Sequence, residues 1–223
     1  MSVELDHIFV WTGAGAPEAE RLASLGLTEG PPNAHPGQGT ACRRFFFRNA
    51  YIELLWICDA DEAKSAMVRP LHLWERWSGR SGAACPFGFI YRPGGPPGCD
   101  PPFQAVEYRP PYLPPGMSIQ VAANAGVLGE PMLFYLPFAR RPDRYPADRR
   151  PAMEHATGLR EISSIGLTGP RLLDVSPELK TSIEAGLLSW RREAVWGVEL
   201  SFDGEKAKRQ ADLRPDLPLV LRW

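Results

Sequence analysis

The chain has 223 residues, 44% apolar and 23% charged, with a formal net charge of −1. This length allows a sizeable core in one large domain or two small ones, and the charge balance gives no sign of the basic face or tail of a nucleic-acid binder. No apolar run nears the roughly 20 residues that span a bilayer, and "MSVELDHIFVWTG" lacks the basic and apolar regions of a secretory signal.

Nucleic acid and membrane are therefore not expected as partners. Cys42, Cys58, Cys85 and Cys99 are scattered without a CxxC pair. They read as free thiols in a reducing cytoplasm.

Residues 4–11, "ELDHIFVW", have a strand pattern, with Leu5, His7, Phe9 and Trp11 on one face and Asp6, Ile8 and Val10 on the other. "TGAGAPEAERLASLGL" follows as a short helix. Pro17 suits its first turn, Glu18 and Glu20 its positive end, and Gly26 its stop. A further strand is placed near "GLTEGP". "TACRRFFFRN" and "YIELLWI" read as a hairpin, giving a β–α–(β)–β–β unit. Residues 60–79 form a helical connector interrupted by Pro70, with Trp74 and Trp77 packing on a sheet. Strand patterns return in "CPFGFIYRP", "FQAVEYRP", "MSIQVAAN" and "EPMLFYLPF". After the proline-dense "RRPDRYPADRRPAM" come a strand at "REISSIGLTG", a helix at "SPELKTSIEAG" capped by Ser176, and strands in "REAVWGVELSFDG" and "ADLRPDLPLVLRW".

One residue in "YIELLW" is out of place. Glu53 lies among strand-forming apolar residues, and a carboxylate is costly to bury unless it is paired, hydrogen-bonded or metal-bound. The loop "HPGQGT" leads into the preceding strand, so His35, Gly37, Gln38, Gly39 and Thr40 are candidate ligand-contacting residues. Gly37 and Gly39 permit positive φ, and consecutive amides there suit an anion nest. Arg43 and Arg44 point to opposite faces, so one at most enters a site, to neutralise Glu53 or clamp an anionic group. Phe45 to Phe47, Trp190 and Trp196 read as core. His72 and His155 read as non-catalytic, His155 as an anchor for the last segment.

The chain also echoes itself. "ELDHIFVWTG" resembles "EISSIGLTG", setting His7 against Ser164, and "YIELLW" resembles "VELSF", setting Glu53 against Glu199. In a fainter middle copy Phe87 falls near the His7 position, and Phe134 or Tyr135 near the Glu53 position.

A repeated β–α–β–β–β unit with His on its first strand and Glu on its last resembles the vicinal oxygen chelate superfamily. The glyoxalase-like branch is the nearer match, through "LDHIFVW", "HPGQGTACRRFFF" followed by "YIELLW", and "EHATGLREISSIGLTG". The resemblance implies an α+β fold. Paired βαβββ modules form a concave, cup-shaped mixed sheet with flanking helices, and a C-terminal βαββ extension follows. The segments are 1–60 (first module), 61–84 (helical connector), 85–140 (degenerate second module), 141–160 (proline-rich connector) and 161–223 (C-terminal module).

The resemblance further implies a small-molecule enzyme of lyase, isomerase or dioxygenase type, acting on an oxygenated compound in the cup. His7 and Glu53 are then catalytic, or the first module's ligand pair for a divalent metal (Zn, Mn, Fe or Ni). If the first module faces the last, Glu199 is the third ligand, beside Ser164. The other reading is a binding protein of the same fold, with Phe87 and Phe134 or Tyr135 as an apolar pocket floor. Homodimers are common among relatives.

Overall fold

The structure, a computed structural model, describes residues 3–82, 84–95, 100–170 and 174–223. Cys99 lies outside them.

The first unit comprises β1 (Val3–Trp11), α1 (Ala19–Ser24), β2 (Asn33–His35), β3 (Thr40–Phe46) and β4 (Tyr51–Ile57). The extra strand β2 lies beyond "GLTEGP", because Pro31 and Pro32 have no N–H for a ladder. A connector follows, with α2 (Ala60–Ala63) and α3 (Leu73–Gly79). The second unit is β5 (Phe87–Pro93), β6 (Ala105–Tyr108), β7 (Ile119–Ala122) and β8 (Met132–Tyr135), with no helix among the described residues between β5 and β6.

The two units form one eight-stranded sheet in the order β2-β3-β4-β1-β5-β8-β7-β6. β1 runs parallel to β4, β5 parallel to β8, and β1 antiparallel to β5 at the centre. The sheet curls into a cup. The first unit therefore faces the middle one within a single chain, and the cup needs no second copy to be complete.

The C-terminal segment builds a second sheet from β9 (Ile162–Gly169), α4 (Pro177–Glu184), β10 (Ser189–Arg192), β11 (Gly197–Phe202), β12 (Gln210–Asp212) and β13 (Leu219–Arg222). The extension thus has five strands, "ADLRPDLPLVLRW" splitting in two around Pro215 and Pro218. Its order is β10-β9-β11-β13-β12. The first four of that order pair parallel, antiparallel, parallel, as β4-β1-β5-β8 do. As anticipated, Ser176 caps α4, its Oγ accepting from the Leu179 amide at 3.2 Å.

Alternation along each strand gives the first sheet two apolar faces. Ile8, Val10, Phe45, Ile52, Leu54, Phe87, Phe89 and Tyr135 face the second sheet, sharing a core with Leu167, Val198, Leu200 and Leu221. Phe9, Trp11, Cys42, Leu55, Ile90 and Phe134 line the concave face, covered by Leu71 and Leu73 of the connector. Among the described residues no helix is long and apolar enough to cross a membrane.

His155 ties the proline-rich connector to the first unit. Its Nδ1 accepts from the Thr28 amide and its Nε2 donates to the Phe46 carbonyl, both at 2.9 Å, which requires the neutral ring. Burial lowers its pKa below the usual histidine value. A depressed folded pKa means that the unfolded chain binds the proton better. The stability this ring contributes is present above about pH 6.5 and lost as pH falls from there through the folded value. Denaturant unfolding should therefore show stability declining between about pH 7 and 5. His155→Gln should flatten that decline while costing ~1–3 kcal/mol at pH 8. An unchanged pH slope would count against this role.

Candidate functional site

A cavity of about 590 Å³ opens on the concave face, lined among others by His7, Phe9, His35, Glu53, Tyr108 and Phe134. Its wall is mostly apolar, with the polar groups gathered at the first unit's end. Larger clefts of about 740 and 710 Å³ lie elsewhere. Neither contains His7 or Glu53.

His7 and Glu53 stand on adjacent parallel strands. The ladder sets His7 against Tyr51 and Phe9 against Glu53, so both side chains share the concave face. His7 Nε2 is 3.5 Å from Glu53 Oε2, and both residues are buried. The ring stacks on Tyr51, centroids 4.2 Å apart. Its other nitrogen, Nδ1, bonds Asp6 Oδ1 at 2.7 Å.

Simple alternation would put Asp6 on the opposite face. A register shift between Leu5 and His7 in the β1–β5 ladder makes Asp6 the extra residue of a bulge, and a bulge re-aims the side chain it carries. Buried Arg92 backs the carboxylate. It lies 3.8 Å from Asp6 Oδ2, pairs with Glu4 at 2.7 Å and donates to the Leu5 carbonyl. Arg92, Asp6, His7 and Glu53 thus form a connected polar chain ending at the cavity. With Nδ1–H committed to Asp6, Nε2 is the ring atom turned toward Glu53 and the cavity.

Strand parity sorts the other candidates. Arg44 stands on the concave face opposite Glu53, its guanidinium bonding the carbonyls of Pro31 and Pro32 at the rim. Arg43 points to the convex side, held by Glu29 at 2.6 Å and Glu20 at 2.9 Å. His35 lines the cavity and shares a network with Gln38 and Thr40, whose Oγ1 is 2.8 Å from both His35 Nδ1 and Gln38 Nε2. Burial lowers the His35 pKa. The loop amides do not form an open anion nest. Gly37 and Gly39 both donate to Glu62 Oε2, at 2.7 and 3.0 Å, so the chain's own carboxylate fills the nest.

Phe134 lines the cavity, but Phe87 and Tyr135 are corrected to the core between the sheets, one residue out of phase with the concave face. On β5 that face carries Gly88 and Ile90. A Cβ on Gly88 would lie 2.2 Å from the Phe9 ring, so the missing side chain makes room for Phe9. Glu199 is corrected too. It is on β11, which takes the place of β5 and not of β4. Val198 and Leu200 point into the core, so Glu199 faces away from the first sheet, bonded to Arg191 at 2.8 Å and 3.4 Å from Arg222. Ser164 is exposed. Neither joins His7 and Glu53.

Besides Asp6 and Arg92, three residues not singled out from the sequence join the site. Tyr112 donates to Gln38 at 3.2 Å, and Tyr108 reaches the cavity from β6, its pKa pushed up to about 12 by burial. Fully buried Cys42 lies behind the wall, its thiol held protonated by burial and by the Glu53 carboxylate, to which it donates. The donor atoms of His35, Cys42 and Glu53 lie within 4.8 Å of one another.

Residues 5–84 match the model of the glyoxalase-like domain family. This segment is glyoxalase-like. The vicinal oxygen chelate resemblance holds for it, and it carries Asp6, His7, His35, Cys42 and Glu53. A crystal structure of a hypothetical protein from Staphylococcus aureus superposes with a TM-score of 0.50 at 9% identity, covering 100% of this chain and 98% of that one. At that identity the likeness shows the fold alone. No curated protein matches the chain.

The cup does not fit a metal held by one ligand pair from each half. The first half offers His7 and Glu53, whereas the second half presents Gly88, Ile90 and Phe134, none a ligand. Two protein ligands fall short of the usual three.

Proposed function

We propose that the protein is a small-molecule enzyme of the isomerase or lyase kind, moving a proton on an oxygenated and largely apolar compound held in the cup. The observation that carries this reading is the Asp6–His7–Glu53 chain ending at the cavity wall.

The chemistry follows from the pairing. Asp6 fixes the ring so that Nε2 faces the cavity. Nε2 takes a proton from carbon next to the substrate's carbonyl, and the electron pair left behind moves onto the carbonyl oxygen. Glu53, 3.5 Å away, stabilises the imidazolium that forms. On a hydroxyketone, the adjacent hydroxyl gives its proton to the former carbonyl oxygen and becomes the new carbonyl, and return of the carbon proton to the former carbonyl carbon completes an isomerisation. Collapse of the enolate with loss of a group on the next carbon completes an elimination. Phe9, Ile90, Leu55 and Phe134 provide the dry wall that strengthens these electrostatics. The described cysteines are free thiols, two of them buried, which supports a reducing, cytoplasmic setting.

A second reading, a binding protein without turnover, is favoured by one observation: the second half of the cup presents only apolar side chains where partner ligands are expected. Thermal-shift screening of small ketones, aldehydes and hydroxyketones, followed by recovery of those that bind, separates the two. The enzyme reading expects at least one bound compound to be converted. Compounds recovered unchanged after prolonged incubation would leave the binding reading.

A further inference from the structure

We propose that the first half of the cup binds one divalent ion of the zinc class on His35, Cys42 and Glu53. All donors then come from one module, one of them a thiolate, and not from paired first and last strands. The inference rests on the reading above only in that the ion's open side faces the same cavity.

The site is built by strand register. Cys42 on β3 stands opposite Asn33 of β2 and Leu55 of β4. His35 and Glu53 each lie two residues from those partners, so all three side chains share the concave face as diagonal neighbours. Their ligand atoms lie within 4.8 Å of one another. Nitrogen, sulfur and oxygen together suit a borderline ion, and three protein ligands with one open position form the catalytic type of zinc site. His35 and Glu53 line the cavity while Cys42 is fully buried behind it, so the open position faces substrate.

The outer partners are in place as well. Thr40 Oγ1, itself bonded by Gln38, holds His35 Nδ1 at 2.8 Å, leaving Nε2 as the ligating nitrogen. Without an ion, Nε2 lies 3.1 Å from Asn33 Nδ2 and the Cys42 thiol donates to Glu53. Binding therefore breaks the S–H bond, forms a sulfur–metal bond and releases one proton to solvent, with no change in oxidation state. His7 stays outside the ligand set, 3.5 Å from Glu53 Oε2, free to handle the substrate proton.

The test uses the full chain, stripped with chelator, kept reduced and titrated with Co²⁺. A near-ultraviolet thiolate-to-cobalt charge-transfer band should saturate at one equivalent and disappear on adding Zn²⁺, with about one proton released per ion in weak buffer. Cys42→Ser should abolish the band. His35→Ala, at a half-buried position at the end of the edge strand β2, should weaken Zn²⁺ binding at least tenfold with the circular dichroism unchanged. Cys58→Ser, at an exposed thiol, should change nothing. No band in the folded wild type, or a band kept in folded Cys42→Ser, overturns the proposal. If Cys42→Ser does not fold, His35→Ala decides, and unchanged Zn²⁺ affinity there overturns it. Loss of the ion site with substrate conversion intact would leave the proposed function standing.

Discussion

Replacing His7 by Gln is expected to lower kcat by roughly 10²- to 10⁴-fold, the usual contribution of a positioned general base, with KM changed only a few-fold. Gln keeps the approximate bulk of the ring that stacks on Tyr51, but it cannot carry a proton at the Nε2 position. The wild type shows why so much depends on one atom. Asp6 holds Nδ1 at 2.7 Å, and Nε2 is directed to Glu53 at 3.5 Å and to the cavity. Asp6→Asn should reproduce part of the loss, because an amide can hold the ring in the wrong tautomer. Steady-state kinetics on a converted compound check both. A His7→Gln protein with a near-normal kcat would remove His7 from the chemistry.

Arg92→Met is expected to cost ~3–5 kcal/mol of stability, as measured by urea unfolding. Arg92 is 1% exposed and Asp6 2% exposed, so removing the guanidinium strands a carboxylate that water does not reach. Asp6 Oδ2 has no hydrogen-bond partner and relies on the Arg92 charge 3.8 Å away. The loss should be non-additive: Arg92→Met with Asp6→Asn should recover a large share of it, because the stranded charge is gone. Full additivity of the two changes would mean that the residues do not act as a pair. Arg92→Met should also slow turnover, since Asp6 aims His7.

How far the sequence carried this account depends on which residues are asked about. β1, β3 and β4 were legible because their alternation is clean, and parity alone separates Arg43 from Arg44, but only the ladder register puts Arg44 on the face of His7 and Glu53. The same parity also puts Cys42 beside Thr40 and Arg44, a signal that was present and went unused. Asp6 was hidden because one bulge residue reverses the parity of a strand locally, and nothing in "ELDHIFVW" marks it. The middle copy was aligned one residue out of phase at Phe87, and "FY" left the choice between Phe134 and Tyr135 open until β8 took its register against β5. The Glu199 echo failed for a different reason. "VELSF" shares its Glu-Leu pair with "YIELLW", but β11 pairs antiparallel to β9, whereas β4 pairs parallel to β1. Glu62 filling the glycine loop depends on a contact 25 residues away from Gly37, beyond any local pattern.

The fold and the proposed chemistry meet at one proton. Its most direct measurement is proton–deuterium exchange at carbon next to the carbonyl of a bound ketone or aldehyde, followed by NMR in D₂O. The account predicts enzyme-dependent loss of that signal in the wild type. In His7→Gln the exchange should fall to the buffer rate, while the compound still raises the melting temperature. Equal exchange by wild type and His7→Gln, with both proteins folded and both binding the compound, would contradict it.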